Sequence, residues 1–154
     1  MPEQIATEAR IPNPKLAGLQ QLVGTWTTTG HHPMVPGTTF HGRTSVEWIE
    51  GGAFLMMRSE TVEPEIPSGM SIIGSDDSSD VLMMNYFDER GVSRRYEMAV
   101  EGKTVRWWRN SEKISQRCEL TVADDGNSMQ TTAEFSENNG PWGKDLELSY
   151  TRVK

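Results

Sequence analysis

"LVGTWTTTGHHP", Leu22 to Pro33, is where the chain changes from one structural period to another. Upstream, Asn13 suits an N-cap and Pro14 the first helical position. Leu16, Leu19, Leu22 and Val23 then give a short helix one apolar side, and Gly24 is placed to end it. From Trp26 onward the signals are strands and tight turns, and no second helical pattern follows. The pair His31–His32 closes the stretch and raises the question of a metal site against a strand end.

Ten candidate strands follow at 25–31, 39–50, 53–62, 70–75, 81–87, 92–101, 104–110, 113–123, 128–137 and 145–153. Turn chemistry separates them: Gly51-Gly52, Asp88-Glu89-Arg90-Gly91, Glu101-Gly102, Asp124-Asp125-Gly126-Asn127 and Asn138-Asn139-Gly140-Pro141. Links this short exclude a parallel sheet, whose crossovers are long. Alternation agrees. Phe40, Val46 and Trp48 oppose His41, Arg43, Ser45 and Glu47, and Tyr96, Met98 and Val100 oppose Ser93, Arg95 and Glu97. Cys118, Leu120 and Val122 oppose Arg117, Glu119 and Thr121, while Leu146, Leu148, Tyr150 and Arg152 share one face of the last strand. A meander this long exposes edges unless it closes. The expectation is therefore all-β: one antiparallel up-and-down barrel of about ten strands, with the short N-terminal helix covering one end. Residues 1–12 show no periodicity and are expected to form a flexible arm before a single barrel domain at 13–154.

Composition sets the bounds. The chain has 154 residues and a formal net charge of -7. Such an acidic balance disfavours nucleic acid and anionic membranes as partners. A lone cysteine, Cys118, allows no internal disulfide, and the N-terminal segment lacks the apolar run of a secretory signal. A cytoplasmic location is the resulting expectation, with no membrane span. Nine Met and five Trp stand out against a hydrophobic fraction of 35%. A barrel with half of each strand in water needs few apolar residues, and large ones can line its interior.

The helix, Gly24-Thr25-Trp26 opening the first strand and an Arg near the end of the last together resemble the calycin superfamily of lipocalins, fatty-acid-binding proteins and nitrobindin-like haem barrels. The nearer likeness is to a bacterial family of unknown function with a calycin-like barrel. It is carried by "LVGTWTTTGHHP", "VEWIEGGAFLMMRSE", "NYFDERGVSRRYEM" and "GPWGKDLELSYTRV", in order over residues 16–153. The resemblance implies a barrel that hosts carriers, enzymes and haem proteins alike. Nitrobindin-like barrels ligate iron through a His near the C-terminus. Residues 42–154 hold no His, so haem would need Tyr150 or a Met as axial ligand, and no cofactor is expected.

Among candidate site residues, adjacent His31 and His32 point to opposite strand faces and cannot share one ion, so no metal site is expected. His32 is instead placed near a cavity mouth. The segment 53–62 admits two parities. One carries Phe54, Met56, Arg58 and Glu60 inward, the other Leu55 and Met57. On the first, Arg58 is a polar handle for a carboxylate or carbonyl, with Glu60 orienting it or moving a proton. Tyr96 and Arg94 join the handle, and Met56, Met98 and Trp48 join the cavity wall. Trp26 and Arg152 read as structural partners across the seam of the closed barrel. The function expected is a carrier or sensor of a small apolar or amphipathic molecule with a polar end. The alternative is a cofactor-free isomerase, cyclase or lyase with Glu60 as base. Oligomeric state is left open, a homodimer included.

Overall fold

The structure is a computed structural model that describes residues 10–154. Ten strands lie among the described residues: β1 (Gly24–His31), β2 (Phe40–Ile49), β3 (Phe54–Thr61), β4 (Gly69–Ser75), β5 (Leu82–Asp88), β6 (Ser93–Glu101), β7 (Thr104–Arg109), β8 (Ile114–Val122), β9 (Ser128–Glu137) and β10 (Gly143–Arg152). Each pairs antiparallel with the next, and β1 also pairs with β10, which closes the barrel. The all-β, ten-stranded architecture is thus the one the turn chemistry implies, with strand ends displaced by no more than two residues. Of the arm expected at 1–12, residues 1–9 lie outside the described residues, while Pro12 rests against Gly52.

The N-terminal helix is a 3-10 helix, Pro14–Leu22, rather than an α-helix. Its apolar residues explain the choice. Leu16, Leu19 and Leu22 are spaced by three, so a helix of three residues per turn stacks them along one line. All three are buried. Asn13 caps the start, its side chain accepting the Lys15 N–H at 3.0 Å. The helix covers one end of the barrel, packed against β3, β4 and β6. No helix among the described residues is long and apolar enough to cross a membrane.

Strand alternation fills the barrel. In β1, Trp26, Thr28 and Gly30 are buried, while Thr27, Thr29 and His31 face water. The threonine run is therefore two rows. The inner Thr28 shares a 2.8 Å hydrogen bond with Thr44 of β2, and the outer ones decorate a pleated surface that β-branched residues suit. On the outside, Arg106 faces Glu119 and Arg117 faces Glu134 across paired strands, at 3.0 and 2.9 Å. Exposed pairs of this kind are screened by water and salt and add little to stability.

The seam lies between β1 and β10, where Trp26 stands opposite Arg152. Trp26 is fully buried, and its indole N–H donates to Leu22 O at 3.0 Å. The Arg152 guanidinium carbon lies 4.2 Å from the centre of the indole ring. Its nitrogens donate to three carbonyls: Val23 at 2.7 Å, Gln21 at 3.2 Å and Gly126 at 3.0 Å. Gly24, at φ +139°, leaves the space that this guanidinium occupies, and a Cβ there would collide with Arg152 Nη1.

A cation over an indole contributes roughly 0.5–2 kcal/mol and each hydrogen bond about 1 kcal/mol. At roughly 2–4 °C per kcal/mol for a chain of this size, Arg152→Ala should lower Tm by about 5–15 °C. Arg152→Lys should recover little, since an ammonium neither stacks nor spans three acceptors. Thermal melts of Arg152→Ala, Trp26→Leu and the double variant should show losses that are less than additive. Strict additivity would mean the two side chains are energetically independent.

Candidate functional site

The barrel encloses a cavity of about 430 Å³ that opens at the end opposite the helix. Its walls are apolar and aromatic, among them Phe40, Met57, Met84, Met98, Trp107 and Tyr150. Each sits on the inward parity of its strand. Cys118 also faces this space, where burial pushes its thiol up to about 12, so it is no nucleophile. Tyr150, the residue that would replace a missing haem histidine, is bonded to Thr131 at 3.2 Å. Burial pushes its phenol up to about 12, and a phenolate ligand is disfavoured there.

Toward the mouth the wall turns polar. Tyr96 of β6, Gln116 of β8, Asp145 of β10 and His32, just past β1, form one hydrogen-bonded row. Tyr96 OH donates to Gln116 Oε1 at 2.6 Å, and Arg94 Nη1 donates to the same oxygen at 3.3 Å. Gln116 Nε2 donates to Asp145 Oδ2 at 3.0 Å, and His32 Nε2 lies 3.2 Å from Asp145 Oδ1. His32 Nδ1 accepts the Met34 N–H at 3.0 Å. That bond assigns the proton of the neutral ring to Nε2, facing the carboxylate. Burial raises the Asp145 carboxyl, but hydrogen bonds from His32, Gln116 and the Leu146 N–H outweigh it and hold the group below its ordinary value. Burial raises the Tyr96 phenol, so it stays a neutral donor.

A β-bulge places Asp145. The register of β10 against β9 shifts between Lys144 and Glu147. Without the bulge, Asp145 would share the outward parity of Glu147, Ser149 and Thr151. The extra residue turns its carboxylate into the cavity mouth.

Of the residues singled out from the sequence, His32, Arg94, Tyr96 and Met98 are brought together at this cavity. Arg58, Met56 and Trp48 are not, and Glu60 reaches the cavity only at its rim. β3 takes its second parity, because Leu55 is fully buried opposite the equally buried Ile73. Met57, Ser59 and Thr61 follow Leu55 inward, and Phe54, Met56, Arg58 and Glu60 face outward. Arg58 is exposed, with Met70 Sδ at 3.9 Å as its side-chain contact. Glu60 borders the rim as an exposed residue. Trp48 keeps its inward parity but belongs to the covered end, where its indole N–H donates to Gln20 Oε1 of the helix at 2.7 Å. His41 is exposed and pairs with Glu63 at 3.0 Å.

Two residues of the row, Gln116 and Asp145, were not among the candidates read from the sequence. Gln116 shares the parity of Cys118 and Leu120, which was a usable signal. Asp145 carries no such signal, since its bulge inverts the parity.

The barrel is similar to that in the crystal structure of Rv2717c from M. tuberculosis. The TM-score is 0.64 at 13% identity, covering 92% of this chain and 98% of that one. It is also similar to a protein of unknown function from the DUF3598 family of Nostoc punctiforme PCC 73102. There the TM-score is 0.59 at 10% identity, covering 88% of this chain and 49% of that one. At such identities the likeness is one of fold. No curated protein matches the chain. The family model described as protein of unknown function (DUF1579) matches residues 12–152, which include all ten strands, and the chain belongs to that family.

Proposed function

We propose that this chain is a cytoplasmic, calycin-type carrier or sensor that holds a small, largely apolar molecule with one polar end inside its barrel. One observation carries the reading: a cavity of about 430 Å³ with apolar walls ends in a single row of polar side chains at its mouth. Such a cavity matches the general form of a small-molecule site, in which apolar area supplies affinity and a few fixed polar groups supply orientation. At about 25 cal/mol per Å² of apolar surface buried, a ligand of one or two rings gains several kcal/mol from the walls alone. The polar handle in this reading is Arg94, Tyr96, Gln116 and His32, in place of Arg58 and Glu60. No observation favours an isomerase, cyclase or lyase with Glu60 as base: Glu60 stands exposed at the rim of the cavity.

N-phenyl-1-naphthylamine, a neutral apolar dye, should bind one molecule per chain with enhanced fluorescence. Ala133 lines the cavity and is buried, so Ala133→Phe should fill part of the space and weaken binding by about tenfold or more while the protein still melts cooperatively. A folded Ala133→Phe variant that binds the dye as the wild type does would place the dye elsewhere and refute the cavity reading.

The row should also leave a mark in the pH dependence of stability. Asp145 has its carboxyl lowered in the folded chain. Its contribution is therefore complete above the unfolded value of about 4 and is lost as pH falls through the lower folded value. The Tm difference between wild type and Asp145→Asn should be largest near neutrality and shrink as pH is taken below about 4. A difference that grows on acidification would reverse the sign and remove Asp145 from the row.

A further inference from the structure

The polar end of the cavity carries cations that its own side chains do not balance. Arg94 lines the cavity, half-buried, and its one hydrogen bond runs to the neutral Gln116. Arg109 of β7 shares the inward parity of Val105 and Trp107 but stands behind the cavity lining, its guanidinium carbon 6.0 Å from the centre of the Tyr96 ring. Its Nε is sealed from water and has no hydrogen-bond partner. Among the described residues, no carboxylate forms an ion pair with either arginine. Asp145, the carboxylate within the row, is engaged by His32 and Gln116. Arg90 also reaches the cavity, but Asp88 neutralises it at 2.7 Å. Glu60 and Glu65 border the rim as exposed residues, where water and salt screen their charge.

Two half-buried guanidiniums without a counter-ion, one with an orphaned N–H, are costly unless something else meets them. A hydroxyl or carbonyl ligand would accept a hydrogen bond but leave the charge standing. A carboxylate meets both needs, since its two oxygens match the planar fork of an arginine. We infer that the ligand is an organic anion, its carboxylate received by Arg94, with the charge of Arg109 adding to it from behind the Tyr96 ring, and its apolar body directed toward Met84, Met98 and Trp107. This assignment rests on the carrier reading above and narrows it to one chemical class.

The test uses displacement of N-phenyl-1-naphthylamine by two isosteric competitors, 1-naphthoate and the uncharged 1-naphthamide, at neutral pH and fixed ionic strength. The naphthoate should displace the dye at about one-tenth the concentration the amide needs, or less, as expected for a charge-assisted contact. Arg94→Gln should bring the two competitors to within about threefold, and Arg109→Gln should reduce the naphthoate preference, each read as the ratio of the two displacement midpoints within that variant. Arg94→Lys, which keeps the charge, should retain part of the preference and guards against a variant lost to misfolding. Arg117→Gln, on the outer face, should retain all of it. If the dye binds and both competitors act equally in the wild type, the anion assignment falls and the carrier reading stands. If the dye does not bind at all, both fall together. A naphthoate preference untouched by Arg94→Gln and Arg109→Gln would also overturn the assignment, because the anion would then be held elsewhere.

Discussion

The contact between Arg152 and Trp26 is the constraint on which the barrel depends. Nine of the ten strand pairings join neighbours along the chain, and hairpin turns make them cheap to form. The tenth, β1 with β10, joins the two ends and is the least local contact in the molecule. Without it, two long strands would present unpaired edges to other chains. Arg152 reinforces this seam from several directions at once. Its stem and guanidinium cover the indole, and its N–H groups take up carbonyls of Gln21 and Val23 that the end of the 3-10 helix leaves free. A third bond reaches Gly126, in the turn between β8 and β9. Helix end, seam and hairpin are thus tied to one side chain. Gly24 belongs to the same device, since any Cβ there would occupy the place of the guanidinium.

Closing ten strands has a consequence that closing eight does not. An eight-stranded barrel is just wide enough for its own side chains to fill, and a wider one leaves space. The interior here copes in two ways. At the covered end, Leu16, Leu19 and Leu22 of the helix join Trp26, Leu55 and Ile73 in a core closed to water. Toward the mouth there is no such plug, and the cavity remains. Small polar side chains inside are satisfied by one another: Thr28 by Thr44, Thr44 by Ser59 at 3.4 Å, Thr131 by Tyr150. That is why a hydrophobic fraction of only 35% suffices, and why threonines are found on the inner rows.

Fold and seam were legible for the same reason. Gly-rich and Asp-rich turns mark the hairpins, and period-two alternation carries through β2, β6 and β8 without interruption. Once closure is granted, Trp26 and Arg152 must be neighbours. The helix type was not distinguished, although a spacing of three between Leu16, Leu19 and Leu22 is the 3-10 period. The site was legible only in part. His32, Arg94 and Tyr96 follow from unbroken alternation. Arg58 lies outside and Glu60 reaches only the rim because β3 has apolar residues on both parities, Phe54 and Met56 on one side, Leu55 and Met57 on the other. Burial of Leu55 against Ile73 decides between them, and that is a tertiary fact. Asp145 was hidden by a bulge, which inverts parity at the one position where inversion matters.

The directions of the hydrogen bonds in the row then constrain what the mouth can recognise. Tyr96 donates to Gln116, Gln116 donates to Asp145, His32 donates to Asp145 from the other side, and His32 is itself fixed by the Met34 N–H. Every link has a set direction, because Gln116 must present its oxygen to Tyr96 and Arg94 and its amide N–H to the carboxylate. The row's donors are therefore engaged internally, and its neutral members hold one another in place. What remains unbalanced is the charge of Arg94 and Arg109, with which no carboxylate among the described residues forms an ion pair. Selection at this mouth would accordingly turn on the charge of the ligand's polar end, while the neutral groups fix where that charge can sit.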